Sequence, residues 1–415
     1  MSGLIVGRKT IGRVRTPRTF RNMPVFAVAV SLALFSASAT NAQDRPLGEN
    51  RDASAVPKGA APLRRTVQPA NAEQPLLTAE QWSKVDTSVD RGLEFLARRQ
   101  LRDGSFPTNT FGQPAVTSLC VMAMLARGHQ PGKGPYGEKM ERAIDYVLSY
   151  QDADTGAFMR RGGGQGYSTS GNYNHPIAGV MLGEVYGMTT AERHDRIREA
   201  VCKGLIYTRA QQLRPKSNPD ERGGWRYLTS VTENDADLSI TVWMLMFLRS
   251  ARNAEFDVPQ QWITEAMQYV HRSFDTNERG FVYALSGDER YCNRGMVGAG
   301  VVCLALAGEH NAPTAREAGD WILRNPFRQY NRSGHFEDRY HYSAFYCSQA
   351  MFQLGGDYWH QFFPGLLDVM ARNQRADGSW DPEAIKDGRF GNAYTTALSV
   401  LSLSTPYQLL PIYQR

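Results

Sequence analysis

The chain has 415 residues, 42% hydrophobic and 21% charged, with a formal net charge of +6. That composition excludes a disordered chain and fits a soluble globular body. Arg8, Lys9, Arg13, Arg15, Arg18 and Arg21 precede residue 43 with no acid among them; setting those six aside reduces the 47 Lys and Arg to 41, equal to the 41 Asp and Glu. The remainder is neutral, which excludes the basic footprint of a nucleic-acid partner.

The six charges are followed by "MPVFAVAVSLALFSASATNA", Met23 to Ala42. A basic start, a short apolar core and small residues at the end predict a secretory signal peptide over 1–42, with Ala37-Ser38-Ala39 or Thr40-Asn41-Ala42 as the cleavage pattern. The alternative is an uncleaved N-terminal anchor helix, for which the apolar core is short of the roughly 20 residues a span prefers. Export, to a periplasm or beyond, is the expectation. The five cysteines, at 120, 202, 292, 303 and 347, form no CxxC pair. They read as small hydrophobes rather than a disulfide framework. Gln43 to Leu77, rich in Pro, Ala and charge without apolar period, predicts a disordered spacer over 43–77.

From Thr78 to the C-terminus the sequence is repetitive. "VDRGLEFLARRQ" puts Val89, Leu93 and Leu96 on one helical face, "LRDGSF" is a turn, and "AVTSLCVMAMLARG" is apolar on nearly every side. The same three-part unit recurs six times, with turn glycines Gly104, Gly156, Gly224, Gly280, Gly334 and Gly378. Half-buried helices alternating with fully buried ones predict two concentric layers. Over 78–415 the expected fold is therefore all-α, an (α/α)6 barrel; an open solenoid is the alternative and needs polar end caps that the sequence does not show.

Within the units, Gln100-x-x-x-Gly104-x-Phe106 and Gln374-x-x-x-Gly378-x-Trp380 share one pattern, and Gln151 to Phe158 and Gln329 to Phe336 repeat it with one residue inserted. The Gln amide suits backbone groups left unpaired at a helix end, Gly permits a turn with positive φ, and the aromatic packs back over it. This is a structural staple. "QRADGSW" resembles the QW motif of squalene and oxidosqualene cyclases, and the units resemble the prenyltransferase and squalene-oxidase repeats shared with protein prenyltransferase β subunits. The resemblance covers about Thr78 to Pro406 and implies the toroidal fold, with an elongated isoprenoid as the class of ligand.

Residues near the starts of the apolar helices surround one mouth of such a barrel: Thr117, Tyr173, His175, Asp237, Arg294, His341, Tyr342 and Tyr394. By the resemblance, "ENDADLSIT" aligns Asp235 and Asp237 with the first and middle Asp of the Asp-x-Asp-Asp motif of class II terpene cyclases, while Leu238 replaces the last. That makes Asp237 the candidate acid, supported by Asp235 and His175; the alternative is a helix N-cap. The Asp-x-Cys zinc pair of protein prenyltransferases is missing, since Asp288 stands four residues before Cys292. No cofactor is expected, and His335, Asp338 and His341 mark the place where zinc would sit if one were held.

The glycine-rich stretch Arg160 to Pro176 lacks the P-loop Lys and reads as a lid over the cavity. Its Tyr167 and Tyr173, with Tyr291, Tyr340, Tyr342 and Tyr394, could instead stack sugar rings; packing at the barrel mouth is the favoured alternative. A polysaccharide-active enzyme would need paired carboxylates roughly 5–10 Å apart, from Asp237, Glu289 and Asp338. The expected partner is thus a hydrophobic small molecule or a glycan, with a non-catalytic scaffold as the third reading.

Overall fold

The computed structural model describes residues 75–160, 165–228, 232–332 and 338–414. The proposed signal segment, most of the spacer and His335 lie outside them. The spacer's last residues belong to the folded body: Leu77 is buried, and Trp359 Nε1 donates to the Leu76 carbonyl at 3.1 Å.

Alternation of amphipathic and fully apolar segments produces twelve helices among the described residues. The outer ones are α1 (Ala79–Arg99), α3 (Gly137–Ser149), α5 (Ala191–Gln212), α7 (Gln260–Arg272), α9 (Pro313–Arg324) and α11 (Gly356–Arg372). The inner ones are α2 (Ala115–Ala126), α4 (Gln165–Val185), α6 (Leu238–Asn253), α8 (Arg294–Leu306), α10 (Tyr340–Leu354) and α12 (Gly391–Leu403). All of α2 is buried, as a helix apolar on every side requires. Each inner helix packs on the next, and α12 returns against α2, so the ring is closed. The open-solenoid alternative falls with that contact.

One staple recurs around the ring. Gln100 Nε2 donates to Gly104 O at 2.9 Å and to Lys139 O of α3 at 2.8 Å. Gln151 does the same with Gly156 and with Ala200 of α5, and Gln212 with Gly223 and with Trp262 of α7. Gln374 reaches Gly378 and then Ser88 of α1, joining the last unit to the first. Each amide thus closes its own turn and satisfies a carbonyl of the next outer helix. The turn glycine packs on the carbonyl three residues further along that helix; a Cβ on Gly378, at φ +90, would lie 2.2 Å from Arg91 O.

Two units depart from the expected turn. In the third, the positive-φ residue is Gly223 rather than Gly224. In the fourth, strands β1 (Phe274–Asp275) and β2 (Gly280–Phe281) form a small hairpin, and Arg279 takes the positive φ in place of Gly280.

The C-terminal segment crosses the far end of the barrel. Ile412 N–H donates to the buried Glu184 carboxylate of α4 at 3.1 Å, and Gln353 Nε2 of α10 donates to Tyr413 O at 2.9 Å. Leu410, Ile412 and Tyr413 are buried. The tail therefore floors the barrel at the C-terminal ends of the inner helices, leaving the cavity open at their N-terminal ends.

Candidate functional site

The direction in which each inner helix points its side chains follows from the staple. The N–H of the aromatic after each turn donates to a side chain on the following inner helix: Phe106 to Thr117, Phe158 to His175, Trp225 to Thr241 and Trp380 to Thr396. Those four acceptors face outward, towards the turns. At about 100° per residue, positions two before and two after face the axis. Ala115, Tyr173, Ser239 and Tyr394 stand two before, Leu119, Ile177, Trp243 and Leu398 two after, and all eight line one cavity of about 670 Å³.

Thr117 and His175, expected at the mouth, are therefore staple residues and do not line it. His175 Nδ1 accepts from Phe158 N–H, which assigns the ring proton to Nε2, donating to Thr208 Oγ1 at 2.9 Å. Burial pushes its pKa down to about 3, so the ring stays neutral. His341 is likewise buried, bonded through Nδ1 to Ser399 Oγ at 3.0 Å and held down at about 3 by burial. Arg294 also turns away from the cavity, paired with Asp338 at 2.5 Å and stacked over Phe327. Tyr173, Tyr342 and Tyr394 do line the cavity.

Asp237 is the N-cap of α6, accepting from Ile240 N–H at 2.8 Å and Ser239 Oγ at 2.7 Å, and it pairs with the buried Arg226 at 3.3 Å. It reaches the cavity only through Ser239, whose hydroxyl lies 2.5 Å from Tyr173 OH. Burial raises the Asp237 pKa, against the opposing pull of Arg226 and the capping hydrogen bonds. Asp235 is elsewhere, accepting from Ser217 N–H and tying down the loop before α6. The structure thus does not bring Asp235, Asp237 and His175 together around one point.

Sequence reasoning named Glu289 and Tyr291 but missed the groups that stand with them, Arg226, Tyr227 and Tyr283. Arg226 donates to Glu289 at 2.8 and 2.9 Å and lies over the rings of Tyr227 and Tyr283, whose hydroxyls are 2.7 Å apart. Burial works against the Arg226 charge, but Asp237, the two tyrosines and Glu289 outweigh it and keep the guanidinium protonated. Glu289, Tyr227, Tyr283 and Tyr291 line the cavity. A signal was present: Gly224-Trp225-Arg226-Tyr227 and Gly280-Phe281-Val282-Tyr283 share a Gly-aromatic-x-Tyr pattern that places each Tyr two residues past the aromatic of its turn.

The stretch read as a lid is helix from Gln165 onward, and Gly166, Thr169, Ser170 and Tyr173 line the cavity from it. Tertiary partners stabilise this polar helix: Asn172 Nδ2 donates to Arg226 O at 2.5 Å, and Asn174 Nδ2 to Phe111 O at 2.9 Å. Of the three carboxylates considered for glycan cleavage, Glu289 alone lines the cavity; Asp288 and Asp387 join it among the described residues. Asp338 is held by Arg294 and the Ser343 hydroxyl. Among the described residues no three His, Cys, Asp or Glu side chains are grouped as metal ligands.

A closed double ring of six helix pairs with an axial cavity decides the architecture. The fold is the (α/α)6 toroid. Type II terpene cyclase MstE from Scytonema shares it: the complex with merosterolic acid A is 17% identical at a TM-score of 0.52, over 80% of this chain and 100% of that one. The MstE complex with geranylgeranyl dihydroxybenzoate is 15% identical at 0.53, with the same coverage. An α-1,6-mannanase variant from Salegentibacter, in complex with α-1,6-mannotriose, is 12% identical at 0.53 over 78% of this toroid chain and 99% of its own. No family model and no curated protein matches the sequence.

Proposed function

We propose that this toroid receives an elongated apolar molecule of isoprenoid type in its cavity, apolar end first. The carrying observation is the depth profile. Below the tyrosines stand Leu119, Ile177, Trp243 and Leu398, with Met296 beside them, while the lining carboxylates come from the turns that precede α8 and α12. A cavity of about 670 Å³ is within the usual range of roughly 300–1,000 Å³ for small-molecule sites. In MstE the same toroid holds a geranylgeranyl compound, a molecule of this general shape. The proposal is one of binding: both Asp237 oxygens accept from donors, the helix cap and Ser239 on one and Arg226 on the other, which favours the carboxylate and opposes its carrying a proton to deliver. Export belongs to the same proposal and is tested by sequencing the N-terminus of the mature protein.

Binding is tested by calorimetric titration with a C20 prenyl alcohol and, separately, with a mannotriose. Micromolar affinity for the alcohol, reduced at least about tenfold by Leu398→Trp filling the floor, is the expected outcome. Binding of the sugar without the alcohol overturns it and favours the glycan reading, which the rim tyrosines and the shared mannanase fold support.

A further inference from the structure

The rim of the cavity divides by charge. On the α8 side two carboxylates, Asp288 and Glu289, line the rim, with the buried Arg226 behind Glu289. On the α10–α12 side three cations, Arg339, Lys386 and Arg389, and one carboxylate, Asp387, line the rim, with Arg339 paired to Asp387 at 3.5 Å. Among the described residues the rim is therefore net negative on one side and net positive on the other. The aromatic residues are divided too. Tyr227, Tyr283 and Tyr291 stand on the acidic side, the last two stacked at 5.5 Å, and Arg226 already lies over Tyr227 and Tyr283 as a cation on ring faces. Phe390 and Tyr394 stand on the basic side.

We infer that the ligand's outer end is zwitterionic, its anionic group set against Lys386 and Arg389 and its cationic group over the face of Tyr291 turned away from Tyr283, beside Asp288. The inference rests on the apolar-ligand reading above. A purely anionic head would meet the acidic wall, and a purely cationic one the basic wall; only a head carrying both charges is complementary to both. The ring face adds attraction for an alkylammonium that carboxylates alone do not supply. The charge-bearing Asp288 and Arg389 are exposed, so their replacement leaves the barrel core untouched.

The test is calorimetry on the full chain below the micellar threshold, with four dodecyl probes whose heads are phosphocholine, trimethylammonium, phosphate and maltoside, and with chain-free phosphocholine as the fifth. Dodecylphosphocholine is expected to bind about tenfold more tightly than the other three, the sum of a partly screened ion pair at each end and a cation–π contact. Lys386→Met with Arg389→Met should bring it down to the trimethylammonium probe, and Asp288→Asn should narrow its lead over the phosphate probe, with unchanged circular dichroism in each case. Equal affinity for all four heads overturns the inference and leaves the apolar reading standing. Binding of free phosphocholine as tightly as the dodecyl form overturns the apolar reading instead, and absence of binding by every probe overturns both.

Discussion

Thr396 accepts the Trp380 N–H at 3.2 Å inside a fully buried helix, so the hydroxyl is the acceptor on which the last turn hangs. Thr396→Val keeps the shape and strands that N–H. A loss of about 1–3 kcal/mol is expected, read as a shift in urea midpoint; an unchanged midpoint would show that the turn does not depend on the bond. The same position is His in the second unit, which is why His175 looks catalytic in the sequence and is structural in the fold. Its place near the start of an apolar helix was legible. Its facing was not, because helical phase relative to the axis depends on which neighbour the side chain bonds. Tyr173, two residues earlier and about 200° around the same helix, is the one that meets the cavity.

At the scale of the turn and the helix, the glycines were legible as punctuation and their severity was not. Gly378 sits at φ +90, with Arg91 O 2.2 Å from any added Cβ, whereas Gly134, at φ +67, has nothing within 4 Å. Gly378→Ala is therefore expected to cost about 3 kcal/mol and Gly134→Ala about 1 kcal/mol, compared by chemical denaturation; equal costs would show that the close approach to Arg91 is immaterial. Helix α10 adds a pH dependence. Glu383 accepts from the N–H groups of Tyr340 at 3.0 Å, His341 at 2.7 Å and Tyr342 at 3.4 Å, yet burial outweighs those bonds and pushes its pKa from the ordinary 4.5 up to about 8. Glu184 under the C-terminal tail is raised by burial to about 7. Groups raised in this way contribute stability that is full below 4.5 and lost as pH rises through about 7 to 8. The buried His175 and His341, lowered to about 3, contribute stability present above 6.5 and lost as pH falls through about 3. The carboxyl contribution to the melting temperature is thus expected to decline as pH rises from 4.5 to about 8 and to level off above, and Glu383→Gln to flatten that decline. A wild-type decline in the variant would remove Glu383 as its cause.

For the whole molecule, the closing contacts are the ones with the largest consequence. Gln374 bonds Ser88 across nearly the full domain, and α12 packs on α2, so the first and last units stabilise each other. The tail completes the other end. Deleting residues 410–415 removes three buried side chains, Leu410, Ile412 and Tyr413, and leaves Glu184 without its backbone donor. A loss of about 5 kcal/mol is expected from the exposed apolar surface, measured as the change in urea midpoint, together with a cavity open at both ends. A truncated chain as stable as the full one would mean that the tail is laid over a floor already sealed.

The number of units, the alternation of half-buried and fully buried helices, and the turn staple are all local properties, readable from apolar period and from the spacing of Gln, Gly and aromatic residues. Those suffice for a toroid because six such pairs bury their inner faces only by closing on one another. The site is different in kind. Arg226 between Asp237 and Glu289, the helical conformation of the polar stretch after Gln165, and the tail across the barrel floor all join residues far apart in the chain. Each depends on the direction in which a side chain points once the ring has closed. Period and composition carry no such direction, and closure of the ring supplied it.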